Sequence, residues 1–236
     1  MFKKTVMEKY EKIIVAAIVA FGLLLLGLCL KGGIDNFTNK DRRVTVKGLA
    51  EKVVDADEVV WTLRLEESDN ELKPIFGRLK SKVKVIEDYL KEKGVDQKGN
   101  ISVGQFDITD NLADAWGDNK PRYNYTVGCA VYVASNDTKF ISEMVAQSDE
   151  LIDRDIILDS NFAEYEYTQF QTLKPEMMAE AISNAEKTAK QFAENSHSKI
   201  NKIVEAGQGE FSIESSEIPY KKNVRVVSTI TYSLRD

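Results

Sequence analysis

The sequence predicts an α+β fold: a largely antiparallel sheet with about three packed helices, preceded by one N-terminal transmembrane helix. Three observations carry that expectation. Strand-like stretches with period-two apolar alternation recur from Val44 to the end of the chain. Between them stand segments whose apolar residues return every three or four positions, the period of a helix. Ahead of both lies an uncharged run, "IIVAAIVAFGLLLLGLCL", from Ile13 to Leu30.

That run covers 18 residues between Lys12 and Lys31. At about 1.5 Å per residue it reaches about 27 Å, enough to cross a hydrocarbon core. A helix of this length buried in protein would still turn a polar face to water, and this run has none. A cleaved signal needs small side chains at its cut site, whereas Leu26, Leu28 and Leu30 crowd this one. Leu28 before Cys29 also breaks the lipoprotein pattern. The run therefore reads as an anchor that stays in the bilayer. Lys3, Lys4, Lys9 and Lys12 on one flank balance Lys31, Lys40, Arg42 and Arg43 on the other, so charge alone does not orient it. A basic tail ahead of an apolar N-terminal run has the form of an export signal. It places residues 1–12 in the cytoplasm, 13–30 in the membrane, 31–41 as a Gly-containing tether and 42–236 outside.

Elements then follow in order. Val44 and Val46 alternate with polar neighbours, "VDAD" makes a turn, and Val59, Trp61, Leu63 and Leu65 alternate again, giving two strands. Ile75, Leu79, Val83, Ile86 and Leu90 share one helix face, and Gly94 supplies the stop. Lys73, Lys80, Lys84 and Lys91 form a basic stripe on that helix, read as a solvated face. "NISVGQFDI" reads as one strand and "TDNLADAWGDNKPR" as a polar loop. Tyr123, Tyr125, Val127, Cys129, Val131 and Val133 then alternate without a break, which makes Cys129 a buried small hydrophobe. A short helix capped near Asn136 or Asp137 carries Phe140, Ile141, Met144 and Val145. "DIILDSNFAEYEYTQFQ" reads as strand with no visible break. After Pro175 comes the longest helix, with Met178, Ala181, Ile182, Ala185, Ala189 and Phe192 on one face; its alanines allow close approach to a sheet. "KIVEAGQGEFSIE" and "NVRVVSTITYSLRD" close the chain as strands.

Composition narrows the chemistry. The 236 residues carry a net charge of -6, which repels phosphate backbones and excludes nucleic acid as an expected partner. Two cysteines without C-x-x-C spacing and a single histidine leave no metal centre to expect. No Walker A loop, G-x-G-x-x-G or G-x-S-x-G is present, so no cofactor and no catalytic residue is expected. His197 reads as an exposed residue at the end of the longest helix. Glu164 with Glu166, and Asp153 with Asp155, are spaced by two and would share a strand face, a weak signal for a carboxylate pair. Asp107, Asp110, Asn111, Asp114 and Asp118 lack the register of a calcium loop. Trp116, Tyr165 and Tyr167 are the speculative contacts for a small-molecule ligand of unknown identity.

Three stretches together resemble the SIMPL domain family. "VTVKGLAEKVVDADEVVWTL" is similar to its opening strand pair, with a V-x-G-x-G-E-like turn followed by Pro/Ala-Asp. "EAISNAEKTAKQFAENSHSKINKIVEAGQG" is similar to its Ala-rich helix running into a K-I/L-x-K-I strand, and "VRVVSTITYSLRD" to its closing strand. The resemblance covers residues 42–236 and implies a bacterial envelope protein, periplasmic or attached to the inner membrane, that self-associates as a homo-oligomer. The family is associated with oxidative stress and with a periplasmic immunogenic protein, and no catalytic residue carries over. The leading expectation is a non-enzymatic, membrane-anchored envelope protein acting as a scaffold. An extracytoplasmic ligand-binding or sensor module is the alternative, and a hydrolase using paired carboxylates a third.

Overall fold

The computed structural model describes residues 18–31, 42–113 and 121–235. A helix, α1, spans 18–31, and the remaining elements are β1 (Arg43–Asp55), β2 (Glu58–Asp69), α2 (Leu72–Glu92), β3 (Gly99–Val103), β4 (Asp107–Asp110), β5 (Tyr125–Ser135), α3 (Thr138–Ala146), β6 (Ser160–Glu166), α4 (Phe170–Asn195), β7 (Lys199–Ser215) and β8 (Lys221–Arg235). The α+β expectation holds, with two antiparallel sheets in the orders β1-β8-β7 and β3-β5-β2-β6, the latter extended by β4 beside β5. The residues expected as one extracytoplasmic domain divide between two compact units, each of which combines separate stretches of chain.

One unit holds Glu51–Met177 with Phe211–Arg225. Its sheet buries Val59, Trp61, Leu63 and Leu65 of β2 against Val127, Cys129, Val131 and Val133 of β5, the two alternating faces read from sequence. Helix α2 lays Ile75, Leu79, Val83, Ile86, Tyr89 and Leu90 onto the same core, while Lys73, Lys80, Lys84 and Lys91 stay exposed. Gly94 follows its C-cap at φ 73, a left-handed turn that favours glycine. The Trp61 indole is fully buried and its Nε1–H donates to Asn161 Oδ1 at 2.8 Å. Asn161 in turn donates to Ser148 Oγ, which donates to the Val145 carbonyl, so every member of the chain is satisfied.

The other unit gathers the described residues up to Ala50 with Met178–Glu210 and the segment from Val226. Here α4 covers β1 and β8 through a small-residue seam. A Cβ placed on Gly48 would lie 1.9 Å from the Ala181 carbonyl oxygen and 2.8 Å from the Ala185 Cβ, so only glycine admits the helix at this distance. Val46, Ala185, Ala189, Ile230 and Tyr232 complete that core. The family-like V-x-G sequence, expected as a turn, is the middle of strand β1.

Four local expectations change. "NISVGQFDI" is two strands, because the register against β5 moves on by one residue between Val103↔Val131 and Asp107↔Gly128, with the Gly104 amide bonded to the Ala130 carbonyl in between. Of "DIILDSNFAEYEYTQFQ" only Ser160–Glu166 is strand; Asp155 ends a 3-10 turn in the left-handed region at φ 58. Asp153 and Asp155 thus lie in a turn rather than on a strand face. Helix α4 starts at Phe170 and holds Pro175 inside it rather than ahead of its first turn. Its buried stripe runs Met177, Ala181, Ala185, Ala189 and Ala193, leaving Ile182 and Phe192 exposed.

The C-terminus of α4 closes in a Schellman motif: the Ser198 amide bonds the Ala193 carbonyl, the His197 amide bonds the Glu194 carbonyl, and His197 occupies the left-handed slot at φ 54. His197 is the exposed helix-end residue expected, and its backbone does the capping. A β-carbon in that slot costs about 1 kcal/mol. His197→Gly is therefore expected to raise stability by about 1 kcal/mol, read as a higher denaturant midpoint at unchanged slope.

Candidate functional site

Of the residues singled out in sequence, Glu164, Tyr165 and Glu166 line one shallow groove in the first unit. Ala163, Glu164, Tyr165 and Glu166 of β6 form one wall, and Ser215, Ser216, Pro219 and Lys222 around the β7–β8 turn form the other, enclosing about 400 Å³. Among the described residues strand β6 is an edge of its sheet, paired to β2 through the register Val59↔Tyr165 and Val60↔Glu164. That register turns Tyr165 toward the core with Val59 and turns Glu164 outward with Val60.

The β1–β2 turn holds the groove together. The Ala56 amide donates to the Tyr220 carbonyl at 2.8 Å, and the Asp57 amide donates to the Glu166 carbonyl at 2.9 Å. Thr138 Oγ1 and Asn136 Nδ2 donate to the Ala56 and Asp57 carbonyls and tie in the start of α3. The Asp57 carboxylate accepts from the Thr168 amide at 2.7 Å, the Gln169 amide at 3.1 Å and Thr168 Oγ1 at 3.2 Å. A carboxylate at the entrance of α4 meets free amides and the positive end of the helix dipole. This is the role of the Ala-Asp pair that sequence showed only as a turn. Asp57→Ala is expected to lose about 1.5 kcal/mol, and Asp57→Asn, which keeps an acceptor, less than half of that; urea midpoints of the two variants check it.

Electrostatically the groove is open. Glu164 and Glu166 are both exposed, and Lys222 Nζ is engaged with Ser215 Oγ at 3.1 Å. Burial pushes the Tyr165 phenol up, with a hydrogen bond to Ser142 opposing it. Carboxyls whose acidity is visibly altered elsewhere are held below their usual range by cations: Asp137 by Lys98 and then the Phe140 amide, Glu92 by Arg154, Asp69 by Arg78. Such groups stay ionised and act as braces. A general acid needs the opposite shift.

The remaining singled-out residues fall as follows. Tyr165 is a core residue at 8 % exposure. Tyr167 is half-buried beyond the end of β6 and does not line the groove. Trp116, Asp114 and Asp118 lie outside the described residues, as does Ile13; Leu30 is 57 % exposed on α1. Asp110 Oδ1 accepts from the Leu112 amide and Asn111 donates to the Tyr123 carbonyl, so the described start of that acidic loop is spent on its own turn. Cys129 is fully buried, and burial pushes its thiol up, which suits an inert packing residue. Among the described residues no three of His, Cys, Asp and Glu are grouped to hold a metal ion. Sequence reasoning missed Asp57 and the Trp61–Asn161–Ser148 chain; the one available signal was an aspartate that ends a turn between two alternating stretches.

Antiparallel sheets carrying helices, with an Ala-lined helix on a strand glycine, define an α+β protein. The chain belongs to the SIMPL family, whose model, described as a protein of unknown function (DUF541), matches residues 44–231, from β1 into β8. No curated protein matches it.

Proposed function

We propose that this SIMPL-family chain is a membrane-anchored envelope protein without enzymatic activity, whose extracytoplasmic part self-associates as a scaffold. The observation that supports it most is α1. Every residue from 18 to 31 is exposed, including Ile18, Val19, Phe21, Leu23, Leu24, Leu25, Leu26, Leu28 and Leu30, so greasy side chains face outward on all sides of the helix. Among the described residues no helix is long and apolar enough to cross a membrane; the uncharged run begins at Ile13, before them. Each large apolar side chain left in water forgoes about 2 kcal/mol, and lipid is the solvent that supplies it around the whole circumference. The export-signal form of a basic tail ahead of the apolar run supports a domain outside the inner membrane, and the resemblance supports an envelope role connected with oxidative stress.

Light scattering of the detergent-extracted full-length protein tests self-association: a mass of at least two chains is expected, and a monomer overturns it. Sequencing the N-terminus of native material tests the anchor. A start at Met1 is expected, and a start near Lys31 overturns it. The ligand-module reading has one observation in its favour, the groove between β6 and the β7–β8 turn, where Glu164, Glu166 and Lys222 could meet a small zwitterion. A thermal-shift screen of amino acids and short peptides that moves the midpoint in wild type but not in a Glu164→Gln, Lys222→Met variant would favour it.

A further inference from the structure

We infer that the outer edge of β7, over residues 199–210, is the self-docking surface of this chain, where a second copy adds its own β7 antiparallel; this rests on the self-association reading above. Strand β7 runs 17 residues at the edge of the order β1-β8-β7. Edge strands of monomers are kept short or blocked, since strands are commonly about 5–6 residues and a free edge invites pairing. The opposite edge shows such a block: Asn184 of α4 donates to the Leu49 carbonyl of β1 at 2.9 Å. On β7 residues 201–207 are all exposed, and Ile203 at 52 % and Val204 at 41 % put a branched apolar side chain on each face near the middle.

Charge selects the occupant. Lys199 and Glu205 share one face by alternation, and Lys202 and Glu210 share the other, so each face has a lysine toward the N-terminal end and a glutamate toward the C-terminal end. All four are exposed. An antiparallel copy in the register Lys202↔Glu210, with Ala206 opposite Ala206, pairs opposite charges twice across the two-fold, whereas a parallel copy would stack like on like. The arrangement is two-fold and closes on itself, so assemblies of even number follow.

The test uses the full-length chain in detergent. Wild type is expected at an even multiple of the chain mass. The K199E/K202E variant, whose strand becomes uniformly acidic, is expected at half that mass or with dimerisation weakened at least tenfold. Adding E205K/E210K, which restores opposite ends in the reverse sense, is expected to recover the wild-type mass. If wild type associates and K199E/K202E associates equally, the β7 assignment is overturned while self-association stands; a monomeric wild type overturns both. Should K199E/K202E fail to fold, A206C in a C29S background decides, since Ala206 lies opposite its own copy in the register that pairs Lys202 with Glu210. An oxidised band at twice the chain mass supports the pairing, and its absence overturns it.

Discussion

Gly48→Ala is expected to cost at least about 3 kcal/mol and to lower the urea midpoint accordingly. The added methyl would meet the Ala181 carbonyl oxygen at 1.9 Å and the Ala185 amide nitrogen at 2.6 Å, both main-chain atoms, so no rotamer change relieves it. The helix must lift from β1, and the contacts of Val46, Ala185, Ala189, Ile230 and Tyr232 loosen with it. Ala185→Gly in the same chain removes only the 2.8 Å contact with the Ala185 Cβ and is expected to recover little. If Gly48→Ala unfolds at the wild-type midpoint, the close seam between β1 and α4 is wrong.

Trp61→Ala is expected to be costlier still, about 4–5 kcal/mol. The ring is wholly buried in the main core cluster, and its removal leaves both a cavity and an Asn161 oxygen without its donor. Trp61→Phe separates the two contributions. It refills most of the space but not the hydrogen bond, and about 1–2 kcal/mol is expected. Asn161→Ala strips the acceptor from a buried indole N–H and should fall in the same range. A double variant, Trp61→Phe with Asn161→Ala, should cost less than the sum, because the two share one interaction.

What could be read in the sequence was whatever local periodicity determines. Ile75, Leu79, Val83, Ile86 and Leu90 were placed on one buried face because helix geometry alone puts them there, and all five are buried. The alternation through Val127, Cys129, Val131 and Val133 fixed the core side of β5 in the same way. The misreadings share a different cause, a partner far away in sequence. Helix α4 begins at Phe170, before Pro175, just after the Thr168 and Gln169 amides that donate to Asp57, a residue 111 positions ahead of Thr168. The strand through Gly104 breaks because its pairing with β5 moves on by one residue after the Gly104–Ala130 bond. Ile182 and Phe192 share a helical face on paper with Ala185, yet the seam with Gly48 admits only the alanine stripe, turning both large side chains out.

The groove was legible in part. Tyr165, Glu164 and Glu166 were visible as an alternating triplet, but which side of β6 faced the core depended on its pairing with β2. The strand order β3-β5-β2-β6 is set by contacts between distant segments, and no short window of sequence reports it. The exposed edge of β7 was equally hidden. Its "KIVEAGQGE" reads as an ordinary half-buried strand until its position at the end of β1-β8-β7 is known.

The central claim is that the residues before Lys31 hold the folded part to a membrane on its outer face. Protease added to spheroplasts carrying the full-length chain tests it most directly. The account predicts that the folded part is digested from outside while a short N-terminal fragment survives in the membrane pellet. A chain that stays intact until the cells are lysed, and then appears in the supernatant, would contradict it.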